Sequence, residues 1–331
     1  MSTTLEVIGL KKYFHVANGG LLHAVDDVSF KIERGETLGI VGESGCGKST
    51  LGRTILRLHE PTAGKVIFDG MDICSFNKEE MRHMRKEMQI IFQDPYASLN
   101  PRFTISQIIE EPLKLHGIYK TAAERREKVE ELMALTGLSK RMYNMYPHEF
   151  DGGRRQRVVI ARALSLNPKF IICDEPVSAL DVSVQAQIIN LMMELQESLG
   201  LTYVFISHDM SVIKHISTNI GVMYLGQMIE KASKNEIFKN PLHPYTIALL
   251  SAIPSVNIRE KKEKIILKGE IGSPVNPKPG CRFAPRCPFA SEQCRCENPQ
   301  FREVKPDHFV ACHRVGEMME GKLKFPGKNE G

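Results

Sequence analysis

The sequence lacks the features that would place the chain in or across a membrane. Its 331 residues contain no uninterrupted apolar run long enough to span a bilayer. The first residues carry neither the basic start nor the apolar core of a secretion signal, so we expect a cytoplasmic protein. A basic stripe with interleaved aromatic side chains is also missing, and the net charge is only +5. We therefore predict no nucleic-acid partner.

Cysteine is scarce except in one segment. Five of the eight cysteines fall between Cys281 and Cys312. In a cytoplasmic chain such a cluster indicates a local site rather than a disulfide framework. The remaining composition, with 42% hydrophobic and 25% charged residues, is that of an ordinary globular protein. A chain of this length has room for one large domain and a smaller extension.

The most informative motif is a glycine-rich segment of the form G-x-x-x-x-G-K-[S/T]. It follows the apolar run Thr37–Val41 and precedes the helix-like segment Leu51–Leu58. In that context the loop N–H groups and the helix N-terminus form a cradle for phosphate. We expect Lys48 to reach the β- and γ-phosphates of a nucleotide triphosphate and the Ser49 hydroxyl to bind Mg²⁺. The predicted ATP-binding residues of this loop are Gly42, Glu43, Ser44, Gly45, Cys46, Gly47, Lys48, Ser49 and Thr50.

A second chemical motif is an acid pair at the end of an apolar run. Phe170–Cys173 predicts a buried strand, and Asp174 and Glu175 follow it directly. Two carboxylates in this position are costly to desolvate without a counter-ion, which Mg²⁺ at the phosphate loop would supply. We therefore predict that Asp174 holds the ion, directly or through water. Glu175 is then the residue that orients and polarises the attacking water.

Apolar strands and helices alternate along the chain. Residues 5–70 are typical of strands with tight turns, and a capping box at Thr121–Glu124 opens a helix with Gly137 as its stop. Further on, apolar strands at 170–173 and 203–206 flank a long helix over about 184–199. This alternation predicts an α/β fold with a mainly parallel sheet that is buried on both faces.

Several separate features occur together in an order typical of one protein family. The chain resembles ATP-binding cassette (ABC) ATPases, and more narrowly the ATP-binding subunits of bacterial oligopeptide and dipeptide ABC importers. The resemblance extends from Leu5 to about His313. It rests on the phosphate loop, Ile91–Pro101, the segment around Gly152 and Gly153, the strand ending in Asp174 and Glu175, Ser178–Asp181, and Ser207–Asp209.

The resemblance assigns a role to several further residues. Gln93 matches a glutamine that contacts Mg²⁺ and the attacking water, and His208 matches a histidine that hydrogen-bonds the γ-phosphate. Asp181 matches the acidic residue that links two nucleotide sites across a dimer. An aromatic side chain near the N-terminus is expected to stack on adenine. Phe14 is the first choice for it and Tyr13 the second, and the sequence does not separate them.

The signature segment departs from the family pattern. The family usually has Leu-Ser-Gly-Gly-Gln, where this chain has Phe150–Arg154 with Asp151, Gly152, Gly153 and Arg154 as the candidate residues for the opposite nucleotide site. Asp151 caps a helix as well as serine does, but it brings a carboxylate towards a phosphate. At about 4 Å and an effective dielectric of about 20, that repulsion is roughly 4 kcal/mol. Either an arginine, Arg154 or Arg155, neutralises Asp151, or the carboxylate turns aside and the nucleotide site that this segment completes is altered. The simpler alternative is that Asp151 merely caps the helix.

The cysteine cluster carries a separate prediction. The resemblance implies that Cys281, Cys287, Cys294 and Cys312 hold a [4Fe–4S] cluster, which takes four thiolates. Their spacings are wider than the paired C-x-x-C of zinc ribbons, so Zn²⁺ is the alternative, and unligated thiols are the third reading. Cys296 is predicted to be a bystander.

Together the residues and the resemblance predict the ATP-hydrolysing motor of a peptide importer, a P-loop NTPase of the ABC type. We expect an ATPase domain over residues 1–240 with an N-terminal antiparallel β subdomain and a helical subdomain at about 100–158, an extension over 241–315, and a flexible tail over 316–331. The implied partners are a paralogous ATPase, with a homodimer possible in isolation, two transmembrane permeases and, indirectly, an extracytoplasmic substrate-binding protein. The expected location is peripheral, on the cytoplasmic face of the inner membrane. The alternatives are a non-transport ABC ATPase and a motor for nickel chelates or sugars.

Overall fold

A computed structural model describes residues 3–17, 19–253, 264–270 and 272–325. Its strands are β1 (Thr3–His15), β2 (Leu21–Glu33), β3 (Thr37–Val41), β4 (Ala63–Phe68), β5 (Met71–Asp72), β6 (Met88–Ile91), β7 (Phe170–Asp174), β8 (Thr202–Ser207), β9 (Asn219–Tyr224), β10 (Gln227–Ser233), β11 (Arg302–Lys305) and β12 (His308–Val310). Its α-helices are α1 (Lys48–Ile55), α2 (Lys78–Glu87), α3 (Pro95–Ser98), α4 (Ile105–Leu115), α5 (Ala122–Leu135), α6 (Gly152–Leu164), α7 (Val182–Leu199), α8 (Met210–Ile216), α9 (Lys234–Lys239), α10 (Pro244–Ser251), α11 (Glu292–Cys296) and α12 (Val315–Met319). Short 3-10 turns lie at Ile73–Ser75, Lys140–Met142, Pro147–Glu149 and Ala284–Arg286.

The chain forms two compact units that interleave along the sequence. The first unit is formed mainly by Asp69–Ser207, and the second by Leu5–Lys31, Leu38–Phe68 and the chain from His208 onward. No helix in the described part of the chain is both long and apolar enough to cross a membrane.

The first unit contains a parallel sheet and a group of packed helices. Strands β6, β7 and β8 pair in parallel, with Phe170 opposite Met88 on one side and Thr202 on the other. All residues of β7 and β8 are buried, which confirms the predicted strands at these positions. Helices α4, α5 and α6 pack against one another, as the predicted helical segment requires.

Helix α5 shows why this sequence folds as predicted. The Thr121 side chain accepts the Glu124 N–H, and the Glu124 carboxylate accepts the Thr121 N–H, so the predicted capping box is present. Val129, Leu132 and Met133 lie on one face and are buried. The predicted stop at Gly137 also holds, since this residue has a φ of +71°.

The second unit combines a mixed sheet with an antiparallel sheet. Strand β3 pairs in parallel with β9, and β9, β10, β12 and β11 then follow in antiparallel order. Strand β1 lies between β2 and β4 and pairs antiparallel with β4, which confirms the N-terminal antiparallel region. The antiparallel strands β10 to β12 were not predicted, because β11 and β12 are too short for a clear alternation.

A buried carboxylate joins the extension to this sheet. Glu230 in β10 is fully buried, and its carboxylate accepts the N–H groups of Leu242 at 2.7 Å and His243 at 3.0 Å. His308 in β12 lies 2.8 Å from the same carboxylate. Three polar contacts offset the desolvation of this acid, so β10, the start of α10 and β12 are held at one point.

Candidate active site

The phosphate loop lies in the second unit, between β3 and α1. Gly47 precedes the helix with a φ of +104°, and a Cβ there would lie 2.1 Å from the Ala24 carbonyl oxygen. Only glycine fits both the left-handed backbone and this approach. The Gly226 N–H donates to the Cys46 carbonyl at 2.7 Å, so neighbouring backbone fixes the loop from a second side. The sequence therefore folds into the predicted strand–loop–helix context, with the helix beginning at Lys48 rather than at Leu51.

Lys48 is buried within this loop and binds its carbonyl groups. The side chain is 4% exposed, and its Nζ donates to the carbonyls of Gly42 at 2.8 Å and Glu43 at 3.0 Å. The ammonium group thus links the end of the loop to the carbonyl groups at its start. Cys46 is also buried beside it, and burial raises the pKa of its thiol, which agrees with a small space-filling residue.

Glu43 is held by residues that the sequence reasoning missed. Its carboxylate receives a bidentate contact from Arg286, with the closest nitrogen and oxygen atoms 2.8 Å apart. Its N–H donates to the Tyr245 hydroxyl at 3.0 Å. Arg286 and Tyr245 lie more than 200 positions along the chain from Glu43, and no local pattern in the sequence links them.

The two candidate adenine-stacking residues have different surroundings. The Tyr13 hydroxyl hydrogen-bonds Asp26, and its ring stacks on His23 with the centroids 3.9 Å apart. Phe14 makes an edge contact with His59, at 5.4 Å between centroids, and the Lys12 ammonium lies over its ring, 4.8 Å from the centroid. Both side chains are partly exposed. One face of the Tyr13 ring is thus already covered.

Asp26 contacts both Tyr13 and Arg282, which belongs to the cysteine segment. Its carboxylate forms an ion pair with Arg282, and the Arg282 guanidinium also donates to the Leu225 carbonyl. The hydrogen bond from Tyr13 and the charge of Arg282 outweigh desolvation and lower the pKa of Asp26. Asp26 therefore stays ionised, as the ion pair requires.

The first unit brings two of the predicted catalytic side chains together. Gln93 Nε2 donates to Glu175 Oε2 at 3.1 Å. Asp174, the last residue of β7, is 1% exposed, and Glu175 follows with a φ of +48°. The Glu175 N–H donates to the Ile206 carbonyl at 3.0 Å, which holds this unfavourable backbone in place. The turn therefore fixes Glu175 at the end of the strand, within hydrogen-bond distance of Gln93.

The signature segment opens helix α6 in the first unit. Asp151 caps the helix, because its Oδ1 accepts the Arg154 N–H at 2.7 Å. Its Oδ2 lies 3.4 Å from the Arg154 Nε, with both side chains more than half exposed. Both readings of Asp151, the cap and the arginine partner, therefore describe the same geometry. Arg155 is engaged elsewhere, since its Nε donates to the Pro147 carbonyl at 2.9 Å.

Two more predicted site residues lie at the ends of helices. Asp181 caps α7 by accepting the Val184 N–H at 3.0 Å and the Ser183 hydroxyl at 2.7 Å, and these hydrogen bonds lower its pKa. The next residue, Val182, is 83% exposed. His208 lies in the second unit, directly before the cap of α8, and is exposed.

The four predicted cysteine ligands line one cavity in the second unit. Cys281, Cys287, Cys294 and Cys312 surround a space of about 20 Å³, together with His243 and other residues. Burial raises the pKa of Cys287 to about 11 and that of Cys312 to about 12. Within the described residues, no three His, Cys, Asp or Glu side chains come close enough to form a metal site. The predicted ligands thus share one cavity, but metal coordination is not confirmed. Cys296 is exposed and does not line this space.

Two family regions match the chain. The ABC transporter family matches residues 25–178, which include the phosphate loop, the signature segment and the acid pair. The oligopeptide/dipeptide transporter C-terminal region matches residues 229–294.

Curated relatives match over nearly the whole chain. An oligopeptide transport ATP-binding protein, AppF, of Bacillus subtilis is 57% identical over 94% of this chain and 97% of its own length. A dipeptide transport ATP-binding protein, DppF, of Haemophilus influenzae is 51% identical over 94% of this chain and 96% of its own length.

Solved structures match the fold as well. A dimeric ATP-binding cassette in a post-hydrolysis state with ADP and phosphate bound is 30% identical, with a TM-score of 0.63, over 70% of this chain and 98% of its own. CbiO1 of Clostridium perfringens, part of an ABC transporter complex, is 27% identical with a TM-score of 0.64, over 75% of this chain and 94% of its own. At this similarity the protein belongs to the ABC transporter family, among the ATP-binding proteins of oligopeptide and dipeptide transport.

Proposed function

We propose that the chain is the ATP-hydrolysing motor of a peptide importer. The observation that carries the proposal is the phosphate loop with Lys48 buried among its carbonyls, in a chain of this family that also pairs Gln93 with Glu175. The first feature holds triphosphate and the second positions a water, so the chain has the groups for binding and for hydrolysis.

The proposed reaction is attack of a water on the γ-phosphate of ATP. Lys48 would exchange its carbonyl partners for phosphate oxygens, and Ser49 and Asp174 would hold Mg²⁺. Glu175 would accept a proton from the water, and Gln93, 3.1 Å from it, would orient that carboxylate and contact the ion. His208 stabilises the charge that develops on the γ-phosphate.

Each nucleotide would be enclosed between two subunits. The signature residues Asp151–Arg154 of one subunit contact the γ-phosphate bound by the other, and Asp181 links the two sites. We propose a paralogous ATPase as the partner, with a homodimer as the form in isolation.

Phe14 is the proposed partner of adenine. An aromatic ring can stack on a base only where one face is open. The Tyr13 ring stacks on His23, whereas the Phe14 ring has an edge contact with His59 and only the end of the Lys12 side chain over a face, 4.8 Å from the ring centroid. Tyr13 remains the alternative.

A [4Fe–4S] cluster is the proposed occupant of the cysteine cavity, with Zn²⁺ as the alternative. Four thiols and no carboxylate line the cavity, which is the number and type of donor that either group takes. Because no three such side chains in the described residues lie close enough to hold a metal, the sulfur atoms would have to move together on binding. Cys281, Cys287, Cys294 and Cys312 would hold it as thiolates, and binding must therefore release the protons that burial favours. The group would cross-link the extension.

The proposed partners at the membrane are two permease subunits, which receive substrate from an extracytoplasmic binding protein. We place the chain on the cytoplasmic face of the inner membrane, because ATP is supplied there. Peptides are the proposed cargo, because the similar proteins are named for oligopeptide and dipeptide transport. Nickel chelates and sugars are the alternatives.

Reconstitution of the chain with the permeases encoded beside it tests this function. We expect the binding protein loaded with a peptide to stimulate ATP hydrolysis and uptake, and Lys48→Ala to abolish both. Stimulation by a nickel chelate or a sugar but not by peptides would replace the proposed cargo. Hydrolysis that no permease affects would favour a non-transport ATPase.

A further inference from the structure

The segment that carries the cysteines is bound directly to the phosphate loop. Arg286, between Cys281 and Cys287 in the sequence, places both terminal nitrogens on the Glu43 carboxylate at 2.8 to 3.1 Å. The arginine side chain is 9% exposed and the glutamate 24%. A bidentate pair shielded from water in this way has a fixed geometry and is stronger than an exposed ion pair.

Neighbouring aromatic residues hold the two partners in place. The Tyr224 ring lies against the Arg286 guanidinium, with 5.9 Å from its carbon to the ring centroid. The buried Tyr245 hydroxyl accepts the Glu43 N–H at 3.0 Å. Glu43 is therefore fixed by both its side chain and its backbone.

Glu43 also contacts Lys48, the lysine of the loop. Its carbonyl accepts a hydrogen bond from Lys48 Nζ at 3.0 Å. Arg286, Glu43 and Lys48 thus form a continuous series of polar contacts from the extension to the anion site. A shift of Arg286 moves the first turn of the loop and one of the groups that place the lysine.

The turn that carries Arg286 is bounded by two cysteines of the cavity. The Ala284 N–H donates to the Cys281 carbonyl at 2.9 Å, and the Cys287 N–H donates to the Ala284 carbonyl at 3.3 Å. Cys281 and Cys287 both line the cavity. The position of the turn therefore depends on how these cysteines are held.

We propose that Arg286 is a positioning residue for the phosphate loop, and that through it the cysteine segment sets the affinity of the loop for Mg·ATP. The inference rests on the proposed function, since it requires that this loop binds ATP. It adds a contact through which the state of the cysteine segment regulates the motor.

Calorimetric titration of the full-length chain with Mg·ATP tests the inference. Arg286→Gln and Glu43→Gln are each expected to weaken binding about tenfold, and the double variant no more than either single one, because both changes break the same pair. Arg286→Lys keeps the positive charge but cannot make the bidentate contact. It is expected to bind Mg·ATP more tightly than Arg286→Gln and less tightly than the wild-type chain. In the reconstituted transporter the loss raises KM for ATP and leaves kcat within about twofold.

A matched control separates positioning from a general loss of stability. Arg125→Gln breaks a comparably shielded pair with Glu110, whose atoms are 2.9 Å apart with 18% and 17% exposed side chains. It is expected to lower Tm without a change in Mg·ATP affinity. Cys287→Ser tests whether the cysteine segment acts through Arg286. It is expected to weaken Mg·ATP binding in the wild-type background but not in the Arg286→Gln background.

The possible outcomes are distinct. Unchanged affinity in Glu43→Gln and Arg286→Gln, or losses that add in the double variant, would overturn the inference. An equal effect of Cys287→Ser on Mg·ATP affinity in both backgrounds would overturn the claim that the cysteine segment acts through Arg286. If Arg286→Gln does not fold, Glu43→Gln and Arg286→Lys decide the same question. Failure of the wild-type chain itself to bind Mg·ATP would instead refute the proposed function.

Discussion

Two of the three departures in the signature segment form a pair, and this makes a specific prediction. Where the family pattern has serine and glutamine, this chain has Asp151 and Arg154, whose Oδ2 and Nε atoms are 3.4 Å apart. We predict that Arg154 compensates for the carboxylate of Asp151. Arg154→Gln should then impair ATP turnover, and the double variant Asp151→Ser/Arg154→Gln, which restores the serine and glutamine of the family pattern, should recover it.

The size of the effect follows from the geometry. Both side chains are more than half exposed, so the pair itself contributes at most about 1 kcal/mol to stability, and the fold should tolerate its loss. An unpaired Asp151 about 4 Å from a phosphate oxygen is repelled by about 1 kcal/mol in water and about 4 kcal/mol at an effective dielectric of about 20. This corresponds to a loss of ATP affinity between about fivefold and about a thousandfold.

The assay is steady-state ATPase of the assembled transporter, with KM for ATP and kcat measured for each variant. Arg155→Gln is the matched control, because it removes the neighbouring charge and leaves the partner of Asp151 in place. Asp151→Ser alone should change turnover by less than about threefold, since serine also caps the helix. Wild-type kinetics in Arg154→Gln, or a double variant as impaired as Arg154→Gln, would refute the compensation.

The remaining predictions concern hydrolysis, adenine and the cysteines. Glu175→Gln should bind ATP, lose at least about a hundredfold in kcat and accumulate as an ATP-bound dimer in sedimentation, and unchanged turnover would remove its catalytic role. Phe14→Ala should weaken ATP binding by about 1–3 kcal/mol with little effect from Tyr13→Phe, and the reverse order would assign adenine to Tyr13. Anaerobically purified protein should be brown, absorb near about 400 nm and contain iron, and Cys287→Ser should lose the colour. Stoichiometric zinc in a colourless protein would favour Zn²⁺.

The sequence predicts those parts of the fold that depend on local pattern. The buried strands β7 and β8, helix α7 and the capping box of α5 are confirmed because each depends on neighbouring residues: continuous apolar runs, helical spacing and a Thr–Glu pair. The phosphate loop is recognised from a local pattern as well, and the positive φ of Gly47 is the local reason for its glycine.

The contacts of the extension could not be predicted in this way. Arg286 reaches Glu43 across 243 positions, and Arg282 reaches Asp26 across 256. Such pairs depend on the tertiary fold, and neither arginine differs by sequence from a solvated side chain. The cysteines were predicted to form one local site, and the structure places four of them around one cavity, because their clustering is visible in the sequence.

The central claim is that the loop around Lys48 holds the phosphates of ATP, and equilibrium binding of Mg·ATP tests it most directly. Isothermal titration of the full-length chain should give saturable binding with one site per subunit. Lys48→Ala, which removes the buried ammonium group, should weaken that binding at least about a hundredfold while the chain stays folded. Equal affinity in the two proteins, or no binding by the wild-type chain, would contradict the account.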